Sequence, residues 1–113
     1  MREILFRGKC NETCKYNGQW IEGFYGEDDG KPIIVRNTGP GFGYFCEPNS
    51  IGQYTGLTDK DDRKIFENGY MIIANKTYKV IFDNAEYILT NIFNCDIITL
   101  KNNSIKGVFV DEI

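Results

Sequence analysis

The chain has no histidine, three prolines and few alanines, and it contains no apolar run of the length that spans a membrane. Without His, the side chain that most readily exchanges protons near neutral pH, neither Ser-His-Asp nor Cys-His nucleophilic catalysis can be assembled within the chain. Scarce alanine and leucine leave few of the strongest helix formers, and no segment sustains a helical apolar period beyond about ten residues. Three prolines among 113 residues, with eight Phe, seven Tyr and one Trp, argue against a disordered chain. The formal net charge of -3 disfavours a protein that wraps duplex nucleic acid through phosphate contacts.

What the chain has in abundance is isoleucine and aromatics, the residues that suit half-buried pleated surfaces. The expected fold is therefore mainly β, and 113 residues suffice for one compact domain or two small modules sharing a core. We place the modules at residues 1–56, β-rich, and 57–113, a small SH3-like antiparallel barrel. In the first, Ile4-Leu5-Phe6 predicts a short strand, followed by turn chemistry from Gly8 to Gly18. Trp20 to Gly26 predicts a strand whose glycines permit a bend or close backbone approach, with Trp20 expected in the core between the modules. Glu27 to Gly30 is a turn, Pro32 to Val35 a third strand, and the Gly/Pro-rich stretch from Asn37 to Gly43 an irregular loop. Its glycine spacing lacks the Lys-Ser/Thr and the following helix that a phosphate cradle needs.

Glu47 to Ile51 fits one helical turn, and Gly52 to Leu57 a strand flanked by glycines. Asp59 to Lys64, with mixed charge, predicts a solvated hairpin tip; it lacks the Gly and Glu positions of a calcium loop. Five further β segments follow, at 70–74, 77–82, 86–91, 97–100 and 105–110. Their short connectors, Asn75-Lys76, Asp83-Asn84-Ala85 and Lys101 to Ser104, predict antiparallel pairing of consecutive strands. Tyr78, Val80 and Phe82 alternate along one expected apolar face.

Cys10 and Cys14, then isolated Cys46 and Cys95, lack the paired short spacings of a zinc ribbon, and no His completes a mixed site. Met1 to Lys9 alternates in charge and lacks a signal-peptide apolar stretch. Four reduced thiols are expected on that basis, with Cys46 and Cys95 packed as small apolar groups; a Cys10–Cys14 disulfide stays open if that segment is a tight turn.

Two blocks of sequence resemble a known family. Met1-Arg2-Glu3-Ile4-Leu5-Phe6-Arg7-Gly8-Lys9 with Gly18-Gln19-Trp20-Ile21-Glu22-Gly23-Phe24-Tyr25, and Ser50-Ile51-Gly52-Gln53-Tyr54-Thr55-Gly56-Leu57-Thr58-Asp59-Lys60 with Lys64-Ile65-Phe66-Glu67, are similar to the start and the central signature of the YopX-like family of phage and prophage proteins. Asp61-Asp62 stands where that signature has an Asn-Gly turn, and Glu67-Asn68-Gly69 where it has Glu-Gly-Asp. The resemblance implies an α+β, YopX-like fold with a β-rich N-terminal module and a C-terminal SH3-like barrel, and a phage or prophage origin, which places the protein in the bacterial host cytoplasm. It implies no catalytic mechanism.

No nucleophile in the chain has a base beside it, and small barrels offer sheet edges and loop-lined grooves. The leading expectation is accordingly a non-enzymatic interaction module that contacts a host or phage protein, with no membrane, cofactor, metal or catalytic residue assigned. Phe42, at the tip of an exposed loop expected to run from Arg36 to Phe45, is read as the anchor for that partner, the alternative being that it folds back onto its own barrel. An alternative is single-stranded nucleic-acid binding by the barrel, on which Tyr54, Lys60, Arg63 and Lys64 would form one exposed aromatic-basic surface. Against it stands the structural reading, in which Gly52 and Gly56 bracket a bent strand while Tyr54, Leu57, Ile65 and Phe66 bury apolar surface. A magnesium-dependent enzyme built on Asp59, Asp61 and Asp62 is disfavoured, because acids beside Lys60, Arg63 and Lys64 suit surface ion pairs better. Exposed strand edges offer a route to homo-oligomers.

Overall fold

The computed structural model describes residues 4–14, 16–36 and 43–112. The chain is mainly β, with antiparallel sheets, and divides into two compact units, Met1–Tyr54 and Thr55–Ile113. Helix among the described residues is confined to two single turns, Pro48–Ser50 and Ser104–Lys106, the first where the sequence predicts one. None is long and apolar enough to cross a membrane.

In the first unit, β1 (Phe6–Lys9), β2 (Trp20–Asp28), β3 (Lys31–Val35) and β4 (Gly43–Phe45) form a meander, and β1 pairs on its other side with the start of β5 (Gly52–Thr58). The two-residue turn Asp29-Gly30 joins β2 to β3, with Asp28 opposite Lys31. Alternation along β2 turns Ile21 and Gly23 inward, and Gly23 lies so close to β3 that a Cβ there would collide with the Val35 carbonyl oxygen. Cys10, Ile21, Ile34 and Cys46 make the centre of this core, with Phe6, Cys14, Tyr16, Tyr44 and Ile51 packed against it.

Three expectations change here. The first strand starts at Phe6, and the residue preceding Leu5, Ile4, is exposed. Residues 43–45, read from sequence as part of the loop, pair with β3, because Tyr44 opposite Ile34 gains both ladder bonds and core contact. Trp20 is only half-buried: the guanidinium of buried Arg7 lies 4.0 Å from its ring centroid and covers one face. Arg7 and Trp20 are diagonal neighbours on the β1–β2 ladder, so the covering group comes from the same sheet.

In the second unit, β5 continues and pairs with β6 (Lys64–Phe66), and buried Thr55 donates its hydroxyl to the Ile65 carbonyl at 2.8 Å. Gly56 takes φ +87° within β5, a left-handed conformation that only glycine adopts without strain. The remaining strands, β7 (Tyr70–Ile73), β8 (Lys76–Asp83), β9 (Glu86–Asn91), β10 (Ile97–Thr99) and β11 (Val108–Val110), form a five-stranded antiparallel sheet in the order β10-β9-β8-β7-β11. That order is compatible with a small barrel-like part. Ile65, Phe66, Met71, Tyr78, Val80, Leu89, Leu100 and Phe109 supply its buried apolar surface.

The β7–β8 turn is Ala74-Asn75, one residue earlier than the sequence predicts, since Lys76 pairs with Ile73. The last strand begins only at Val108 because Ser104–Lys106 coil into a 3-10 turn. Phe82 departs from the expected apolar face: it sits at the β8–β9 turn, beyond the reach of the core, and is exposed, with its ring edge-on to Tyr87 at 4.9 Å.

Candidate functional site

The basic residues singled out from the sequence lie together on the β5–β6 connection. Lys60, Arg63 and Lys64 are all exposed, and so are Asp61 and Asp62 between them. Asp59 fixes this turn from inside. It is 2% exposed; its Oδ1 accepts the backbone N–H groups of Asp61 and Arg63 at 2.8 and 2.9 Å, and its Oδ2 accepts that of Phe109 at 2.7 Å. Burial pushes the Asp59 carboxyl upward, but the N–H bonds from Phe109, Arg63 and Asp61, with the nearby Arg63 charge, outweigh it and hold the group below the usual carboxylate range. The expected solvated tip is therefore solvated only from residue 60 onward. Both Asp59 oxygens accept backbone N–H groups, and among the described residues no three Cys, Asp or Glu side chains converge as metal ligands.

Tyr54 does not join these cations on an exposed surface. Tyr54 is 8% exposed, and its N–H donates to the Leu5 carbonyl at 2.7 Å, so it packs as a core residue with its backbone in the sheet. Ile65 and Phe66 are likewise buried, in keeping with the structural reading of that block, while Leu57 is half-buried. A stacking ring beside the cations is thus missing at the position assigned to it. Glu67-Asn68-Gly69 forms a turn that exchanges backbone bonds with Val80, Asn68 donating to its carbonyl and its N–H donating to Gly69. Phe42 lies outside the described residues.

The structure presents a different aromatic. Residues 92–97 between and including the start of β10 are all exposed; Phe93 is 86% and Ile97 62% exposed. Buried Asn91 organises the loop that carries them. Its side-chain oxygen accepts the N–H groups of Phe93 and Asn94 at 2.9 and 3.2 Å, its carbonyl accepts the Cys95 N–H, and its own N–H donates to Asp96. Asn94 repeats the device on Asp96. The backbone is thereby held in a defined conformation while the Phe93 ring stays in water, at the end of a hairpin whose β10 is a terminal strand of its sheet. Cys95, expected to pack as a small apolar group, is exposed on the same loop. The polar signal Asn91-x-x-Asn94-x-Asp96 was available in the sequence to mark an ordered turn, but nothing there distinguishes an outward Phe93 from one folded back.

No family model matches the chain, and no curated protein matches it.

Proposed function

We propose that this chain is a non-enzymatic, phage- or prophage-encoded accessory protein of YopX-like type that acts in the bacterial host cytoplasm by binding a host or phage protein. The observation that carries the interaction role is Phe93, 86% exposed on a loop whose backbone the buried Asn91 side chain fixes. A large aromatic on a pre-ordered loop loses little conformational entropy on binding and removes apolar area from water, as interface anchors do. Ile92 and Ile97, exposed at the same hairpin end, enlarge the apolar contact. The phage origin and the cytoplasmic location rest on the resemblance of residues 1–25 and 47–74 to the family signature.

Nucleic acid is not favoured, because the ring assigned to stacking, Tyr54, is buried and exposed Asp61 and Asp62 interrupt the cations Lys60, Arg63 and Lys64. Capture of host proteins on immobilised chain, compared between wild type and Phe93→Ala, tests the proposal. A partner retained by wild type and lost with an equally stable Phe93→Ala supports it; equal capture by both, or oligonucleotide binding that weakens as salt rises, overturns it.

A further inference from the structure

Outside the Phe93 loop, a group of reactive side chains lies in the first unit, where the chain leaves β1. Cys10 is fully buried and stands opposite buried Cys46 in an isolated antiparallel bridge. The flanking ladder bonds, Asn11 N–H to the Phe45 carbonyl and Glu47 N–H to the Lys9 carbonyl, belong to the neighbours, so Cys10 and Cys46 form a close, non-hydrogen-bonded pair. The chain then turns sharply. The Asn11 side chain accepts the Thr13 N–H and hydroxyl, and the Asn11 carbonyl accepts the Cys14 N–H, which folds Cys14 back over Cys10. The two sulfurs lie 2.6 Å apart, and the Tyr16 N–H donates to the Cys14 sulfur. Cys14, unlike Cys10 and Cys46, is reachable from solvent.

We propose that Cys10 and Cys14 constitute a dithiol site that reacts with small-molecule disulfides and closes reversibly to an intramolecular disulfide. The Cys14 thiolate attacks one sulfur of R–S–S–R, forming a mixed disulfide and releasing one R–S⁻; Cys10 gives up its proton to solvent and attacks the Cys14 sulfur, forming the Cys10–Cys14 bond and releasing the second R–S⁻. The protein dithiol is oxidised, and the small disulfide is reduced to two thiols. The sulfur separation is close to the bonded distance of about 2.05 Å, so closure needs little movement of the turn. Burial, reinforced by Cys14 and Cys46, pushes the Cys10 thiol well above the ordinary range, and burial brings Cys46 up to about 11. First attack falls to Cys14, the one of the three sulfurs that solvent reaches, and Cys10 beneath it closes the bridge.

The test uses the full chain carrying Cys95→Ser, which removes the exposed competing thiol. The reduced protein is incubated with excess oxidised glutathione near pH 8, quenched in acid, alkylated under denaturing conditions and mapped by mass spectrometry. The expected product is a Cys10–Cys14 bridge with Cys46 alkylated, opened again by reduced glutathione; Cys14→Ser and Cys14→Ala abolish it, and Cys46→Ala leaves it. A Cys10–Cys46 bridge, glutathione persisting on Cys14 as the end product, or three reduced thiols would overturn the assignment.

Discussion

The Asp59 carboxylate accepts the backbone N–H of Phe109 at 2.7 Å, a buried bond between residues fifty positions apart. Through its other oxygen the same carboxylate closes the turn at Asp61 and Arg63, so one side chain joins the start of the second unit to its last strand. Asp59→Ala leaves these N–H donors without their acceptor and is expected to destabilise the protein by about 2–4 kcal/mol. Denaturant unfolding measures this, and a loss within experimental scatter would contradict the role.

The same bond sets a pH dependence. The folded Asp59 carboxyl lies below its unfolded value, so its stabilisation is fully present above the unfolded value of about 3.9 and is lost as pH falls through the lower folded value. Wild-type stability should decline below about pH 4 more steeply than that of Asp59→Asn, which has no proton to gain there. Parallel acid profiles for the two proteins would exclude Asp59 as the source.

Ala85 adopts φ +66° in the exposed two-residue turn that joins β8 to β9, a left-handed conformation costing an L-residue about 1–2 kcal/mol. Ala85→Gly should relieve it and raise stability by about 1 kcal/mol, less the added freedom of the unfolded chain. The opposite substitution at Gly56, with φ +87°, should destabilise: Gly56→Val places a β-branched residue where it is most strained. Thermal melts that move in the same direction for both variants would contradict the turn and strand geometry.

Trp20 reports on the Arg7 stack. Removing the guanidinium from its 4.0 Å position in Arg7→Ala exposes the covered indole face, so emission should shift to the red and the fold should lose about 1 kcal/mol or more from the lost contact. An unchanged spectrum would mean that some other group shields the ring.

Phe93→Ala should leave the melting temperature unchanged, because an 86% exposed ring contributes almost no burial to the folded state. Asn91→Ala should lower it by several degrees, through loss of the bonds to Phe93 and Asn94. Equal effects from the two variants would show that the loop and the ring are one packing unit.

Much of the β architecture is local and was legible in the chain. Ile/aromatic runs bounded by Gly, Asn and Asp specify strands and turns through side-chain bulk and backbone freedom, which depend on near neighbours alone; β9 follows directly and β8 to within a residue at each end, whereas the turn read over Glu27 to Gly30 narrows to Asp29-Gly30 because Glu27 and Asp28 pair with Pro32 and Lys31. Which side chains are covered depends on partners distant in sequence, and only the tertiary structure decided it. The sequence leaves Tyr54 open between a stacking ring and a core residue until bonding to Leu5 places it inside; Asp59 looks like one more solvated acid until β11 brings the Phe109 N–H to it; Trp20, expected in the core, is half-buried under Arg7. The Phe93 ring was left in water for the complementary reason: Asn91 satisfies the loop backbone locally, and among the described residues no distant element covers the ring. Likewise the spacing of Cys10 and Cys14 was plain in the sequence, but the Asn11 turn brings their sulfurs together, and the register of Cys46 opposite Cys10 comes from pairing across thirty-six positions of chain.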